Sequence, residues 1–486
     1  MDYLLLKGGL VYETGKEKLE KKDILIQGDK IISLQPTLNK KKITVLDVSN
    51  TIITPGFIEI NSEILSSKSI FQNPVGDFYF KRGITSVVFG SDGISLAPLF
   101  FGSRHFLNDI TSIDSKINLG WNSFGEMMRF LEKTSTGINF GFYLGYATLR
   151  NIFSFQREGD LTLGEIESLS RIIKENLKEG ALGIAFDLSQ PYLSSLHPEE
   201  INKIINFSLL KHKVVSFHLE NSYEPLLAWK KLFNCFHHHS LNIEIGHLQP
   251  NEEKENEFLE IVRNLDEISN QQNIHFDIFP EPLTKVSIVN LLPKWAVNQN
   301  IKSLLLMKEN SSFYERILES LNYPFLENAF ITDLPKPLNF FNGKLLKEVA
   351  MNQNVSPQQM LIKIAILSKM RGSLIVHQVK EETLNILMNH QKSILSLDYY
   401  FFYEDNALIF KKILSSSKFI QKLTSLPAKK FNLQKRGEIQ EGYYADLVVF
   451  KDYRPYYVFV NGKLVLNAGK IENNLPGKPL ETKFEI

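Results

Sequence analysis

Between residues 56 and 398 the sequence alternates short apolar runs with longer amphipathic ones, a pattern that restricts the chain to a parallel sheet covered by helices. Eight of the apolar runs read as strands: Gly56 to Ile60, Ile84 to Gly90, Asn139 to Gly145, Ala181 to Phe186, Val214 to His218, Leu241 to His247, Ile274 to Phe279 and Ser393 to Asp398. The helices between them carry their own start and stop signals. Thr162 and Glu165 form a capping box, Ile166, Leu169, Ile172, Ile173 and Leu177 recur on one face, and Gly180 follows as a stop. Pro198 suits the first turn of a helix whose apolar face is Ile201, Ile204, Ile205 and Leu209. The connection from the seventh strand to the eighth exceeds about a hundred residues, too long for a plain loop, and 283–345 is expected to be an inserted lid.

The two ends differ in style from the middle. Short β-like runs separated by turn signals fill residues 1–55, and similar runs return after residue 421 with Asn461-Gly462 as a hairpin turn. Neither end offers many strands alone, so the two are expected to combine into one β domain. The predicted fold is α/β: a TIM-like (β/α)8 barrel over 56–420, with a small β-sandwich built from 1–55 and 421–486. A chain of 486 residues suits one large domain with a smaller companion.

Fifty-five basic residues nearly cancel fifty-four acidic ones, which gives no charge surplus to favour nucleic acid or an anionic membrane. Cys235 is the single cysteine, so no internal disulfide forms and a reducing cytoplasm is the expected location. No run approaches the ~20 apolar residues of a membrane span. The implied partner is a small molecule, with the oligomeric state open.

Polar residues follow the apolar part of almost every strand. Asn61 and Glu63 follow the first, Asp92 the second, Tyr146 the third and Asp187 the fourth; His218 and His247 close the fifth and sixth, and Asp277 and Asp398 belong to the last two. In a closed barrel these positions meet on one rim, where such folds place their active sites. Imidazoles and carboxylates gathered there suit a divalent metal such as zinc, which acidifies a bound water while a nearby aspartate takes the proton. Each residue also has a plainer reading. Asp92 lies in Ser-Asp-Gly, ordinary turn chemistry, and Asp187 and Asp277 are read as structural caps of neighbouring helices. His237, His238 and His239 read as a solvated helix end, and Cys235 as packed.

Taken in order, several segments resemble the amidohydrolase superfamily and, within it, the D-aminoacylase (N-acyl-D-amino-acid deacylase) branch. They include Ile53-Thr54-Pro55-Gly56-Phe57-Ile58-Glu59, Gly93 to Pro98, Gly145 to Arg150, Phe217-His218-Leu219, Gly246-His247-Leu248, Asp277 to Pro280 and Gly442 to Asp446. The resemblance implies a metal-bearing barrel that hydrolyses the amide of an N-acylated D-amino acid, with Asp398 as the base and His218 and His247 among the metal ligands. The chain departs from the family pattern at several positions. Asn61-Ser62-Glu63 stands where the family has a His-x-His pair, and Asp92 where it has a ligating cysteine. Tyr146 replaces a histidine, Glu220 an arginine and Gln249 a lysine. The surviving set is Asp92, His218 and His247 with Glu63 as metal ligands, Asp398 as base, and Tyr146 and Gln249 on the substrate side. Two readings remain open: a divergent metal-dependent hydrolase of a linear amide, and a catalytically silent relative with a binding or structural role.

Overall fold

The computed structural model describes the chain except residues 1–2, 17, 36–42, 63–69, 72–73, 111–118, 156, 158, 189–192, 194–195, 209–212, 220–224, 237–239, 251–253, 269–272, 298–310, 378, 398–406 and 483–486. Glu63 and Asp398, expected at the site, and Glu220 lie outside the described residues.

All eight sequence-read strands are present, as β1 (Phe57–Ser62), β2 (Ile84–Phe89), β3 (Asn139–Gly145), β4 (Gly183–Asp187), β5 (Val214–His218), β6 (Asn242–Gly246), β7 (Asn273–Ile278) and β8 (Ser393–Leu395). They pair in parallel, each beside its neighbour in sequence. Their side chains alternate between two faces. Ile58, Ile60, Val88, Tyr143, Ala185, Val214 and Ile394 pack inward as one cluster, closed off by Ala428, Phe431, Leu433 and Leu480. The intervening Phe57, Phe89, Phe142, Phe186, Phe217, Ile245 and Phe276 face the helices in the largest core. A strand buried on both faces reads as a near-continuous apolar run, which is why these strands stood out in the sequence.

Among the described residues no backbone ladder joins β1 to β8. A side chain spans that seam instead: the buried Glu59 carboxylate accepts the Leu397 amide at 2.7 Å, the Ser396 hydroxyl at 3.0 Å and the Asn61 amide at 3.0 Å. Burial raises its pKa to about 7, against those three donors that favour the charged form. At the opposite end of the barrel, lysines reach carbonyls at the starts of strands. Lys213 donates to Ala181 O at 2.6 Å, Lys422 to Ser393 O at 2.9 Å and Lys430 to Asn273 O at 2.8 Å.

The helix over Leu163–Lys178 starts as the sequence indicates. Thr162 accepts from Glu165 N while the Glu165 carboxylate accepts from Thr162 N, and Ile166, Leu169, Ile173 and Leu177 are buried. After β7 the chain leaves the barrel for an antiparallel sheet of Leu283–Ser287, Phe330–Thr332 and Ser373–His377 with a core of its own that includes Ile317, Ile331, Leu361 and Leu374. That unit extends past residue 345.

The termini form a single nine-stranded sheet. Its join is the antiparallel pairing of Ile52–Pro55 with Leu447–Lys451. Asp446 anchors this sheet to the barrel, accepting from Arg436, from Asn461 N at 2.7 Å and from Asn139 at the start of β3 at 3.2 Å. No helix among the described residues is long and apolar enough to cross a membrane.

Candidate active site at the barrel rim

Strand register delivers the first part of the site. His218 ends β5 level with Asp187 of β4 on one side and Gly246 of β6 on the other. A Cβ at Gly246 would sit 2.1 Å from His218 Nε2 and 2.7 Å from Asn61 Nδ2, so only glycine leaves room for the ring to lean across β6. There Nε2 meets Asn61 Oδ1 at 2.9 Å. His218 Nδ1 faces Asp187 Oδ2 at 3.6 Å, beyond hydrogen-bond range.

His247, one residue past β6, has φ 50, a left-handed backbone rare outside glycine. That turn aims two of its donors at one carboxylate: the backbone N–H reaches Asp277 Oδ2 at 3.2 Å and Nδ1 reaches Asp277 Oδ1 at 3.0 Å. Non-glycine residues held in this region concentrate where the surrounding structure over-determines them, functional sites among them. The two imidazole centroids are 4.9 Å apart, and the Phe279 ring centroid also lies 4.9 Å from that of His247.

Asn61 links the pair. Its Nδ2 donates to Asp277 Oδ2, and it lies 3.4 Å from His247 Nδ1. Asp277 is fully buried and accepts from Asn61, His247 N and His247 Nδ1. These contacts fix the protons. The amide NH2 group must face the carboxylate, so the amide oxygen faces His218, and His218 must carry its proton on Nε2. With Asp277 Oδ1 as acceptor, His247 donates from Nδ1–H, and the ring's lone pair is then on Nε2.

The remaining expected residues fall around this centre unequally. Asp92 is buried at the end of β2, and its neighbour Gly93 abuts Asp187, where an added Cβ would be 3.0 Å from Asp187 N. Tyr146 and Gln249, expected on the substrate side, are instead spent on the scaffold. Tyr146 is fully buried with its hydroxyl donating to Glu200 at 2.5 Å, beside the Arg150–Glu200 ion pair. Gln249 accepts from Phe279 N at 3.1 Å and donates to Glu281 O at 2.9 Å. Two residues were undervalued in the sequence. Asp277 is no helix cap, and the available signal was an acid inside the apolar run Ile274 to Phe279, which burial forces to find donors. Asn61 was marked only by its strand-end position and by standing where the resembled family has the first histidine of a His-x-His pair.

Among the described residues no group of three or more His, Cys, Asp or Glu side chains is arranged to hold a divalent metal. The two ring nitrogens that face each other through Asn61, His218 Nε2 and His247 Nδ1, are engaged by Asn61 and Asp277, whereas a ligating imidazole nitrogen must offer a free lone pair. The described residues therefore do not fit a metal held between those two facing nitrogens.

Comparison with known proteins gives relatives over almost the full length. A model described as "Amidohydrolase family" matches residues 399–465. D-aminoacylase from Alcaligenes xylosoxydans xylosoxydans is 22% identical over 92% of this chain and 87% of its own length. N-acyl-D-aspartate deacylase from the same organism is 21% identical over 98% and 94%. Among solved structures, a D-aminoacylase superposes with a TM-score of 0.75 at 19% identity, covering 98% of this chain and 99% of the other. The N-acyl-D-glutamate deacylase of Bordetella bronchiseptica, solved with zinc and a phosphonate inhibitor, gives 0.76 at 17%, covering 99% of each.

Proposed function

We propose that this chain, an amidohydrolase-superfamily protein of the D-aminoacylase branch, hydrolyses a carbon–nitrogen bond other than a peptide bond in a linear amide. The observation that carries this reading is the Asp277–His247 pair at the open end of the barrel strands. Asp277 fixes the imidazole tautomer and orientation, and the Nε2 lone pair then takes a proton from water as that water attacks the amide carbonyl. The same nitrogen returns the proton to the departing amine. The left-handed backbone at His247 and the Asn61 amide hold this pair in place. Relatives that carry deacylase names support an acylated amine as the substrate class. A resident metal would add polarisation of the carbonyl, but the described residues offer no set to hold it and no step is routed through one.

A second reading, a silent relative that binds rather than cleaves, draws on one observation: both facing imidazole nitrogens are already engaged by protein partners. A screen of N-acetyl and N-formyl D- and L-amino acids and neutral acyl amides, read by release of primary amine, separates the two. Turnover lost in His247→Ala supports hydrolysis. Absence of turnover across the panel, with tight binding of a panel member, supports the silent form.

A further inference from the structure

The Asn61 carboxamide stands between the two imidazoles, bonded to His218 through its oxygen and to Asp277 through its nitrogen. We propose that Asn61 takes the bridging place of a cation at this rim, so that His218 and His247 form a metal-free, hydrogen-bonded pair, and that this one amide sets the site's metal preference. The inference rests on the geometry of the pair and not on the proposed hydrolysis.

Three features carry it. A carboxamide presents an acceptor to one side and donors to the other, which matches the His218 N–H and the Asp277 carboxylate in a way no cation does. A cation in that place would need the lone pairs of His218 Nε2 and His247 Nδ1, yet these two nitrogens are engaged by Asn61 Oδ1 at 2.9 Å and Asp277 Oδ1 at 3.0 Å. The Asn61 backbone is also held from outside the pair. Its N–H is bonded to Glu59, whose carboxylate is anchored to Leu397 and Ser396 across the barrel seam. Swinging the side chain aside to admit a metal would break its bonds to His218 and Asp277 together.

The isosteric change Asn61→Asp replaces the donor NH2 with a second acceptor and tests the idea directly. Against Asp277 and two imidazoles, a carboxylate at this position favours a cation. Full-length wild type and Asn61→Asp, stripped with chelator and dialysed, are titrated with zinc chloride by calorimetry, with His218→Ala/His247→Ala as the control for the pair. The expected result is no zinc uptake by wild type that the double variant loses, and a gain on the order of 100-fold in affinity in Asn61→Asp. Thermal unfolding gives a second reading: zinc raises the midpoint of Asn61→Asp and leaves wild type unchanged. Stoichiometric zinc in wild type that disappears in the double variant overturns the proposal, as does Asn61→Asp with wild-type zinc affinity. Should Asn61→Asp fail to fold, the wild-type titration alone decides. Because no arm reads turnover, failure here is distinct from failure of the hydrolytic reading.

Discussion

Replacing Gly246 with alanine adds one methyl group at the point where the site is tightest. Gly246 has no left-handed backbone to forbid alanine, so the effect is steric alone. The new carbon would lie 2.1 Å from both Nε2 and Cδ2 of His218 and 2.7 Å from Asn61 Nδ2, well inside any real contact. His218 must then leave its place. Overpacking of a dense interior costs about 1–3 kcal/mol, and losing the buried His218–Asn61 hydrogen bond costs about 1 kcal/mol more. Urea unfolding should therefore show Gly246→Ala destabilised by about 2–4 kcal/mol. Gly164→Ala is the matched control: no atom lies within 4 Å of its added Cβ, and a gain of about 0.5–1 kcal/mol is expected in that helix. Combining Gly246→Ala with His218→Ala removes the ring that the methyl strikes, so the double variant should recover at least about 1 kcal/mol relative to the sum of the singles. A Gly246→Ala protein as stable as wild type, or a cycle without coupling, would refute this geometry.

Asp277→Asn should destabilise by about 1–3 kcal/mol, because an amide sets a donor against the three donors that now converge there, and any hydrolysis should fall by roughly 10²–10⁴-fold. Glu59 binds its proton more tightly folded than unfolded, with a pKa of about 7 against 4.5. Its contribution is thus full below pH 4.5, declines as the pH rises and is gone above 7, a span worth at most about 3 kcal/mol. Glu59→Gln should remove that part of the slope, measured as urea stability between pH 5 and pH 8. Asp446→Ala strands the buried Arg436 guanidinium and should cost about 3–5 kcal/mol by the same assay. Chelator treatment of wild type should move its thermal midpoint by less than about 1 °C, read by scanning calorimetry.

The barrel was legible because each strand is buried on both faces, which writes it as a short apolar run set apart by its length and by the amphipathic helices that alternate with it. Strand ends were equally readable, and with them the meeting of His218 and His247, since strand order in this fold follows chain order. What the sequence could not convey was direction. Tyr146 begins a helix directly after β3, and its side chain turns to Glu200, a residue on a helix more than fifty positions away. Gln249 reads as a rim residue until the fold around His247 turns it onto the Phe279 and Glu281 backbone. Asp277 was misjudged for the opposite reason: a short acid near a strand end resembles a cap, and only three-dimensional packing sets it beneath His247 and across from Asn61. The seam bridged by Glu59 was not legible, because the lack of a backbone ladder between the first and last strands among the described residues leaves no trace in sequence.

The arrangement stands or falls on what lies between the two imidazoles. A crystal of the wild-type chain grown with zinc chloride, with data collected above and below the zinc absorption edge, shows it directly. The expected density is a carboxamide joining His218 Nε2 to Asp277, without an anomalous peak between the rings. A peak about 2.0–2.1 Å from one nitrogen of each ring would contradict it.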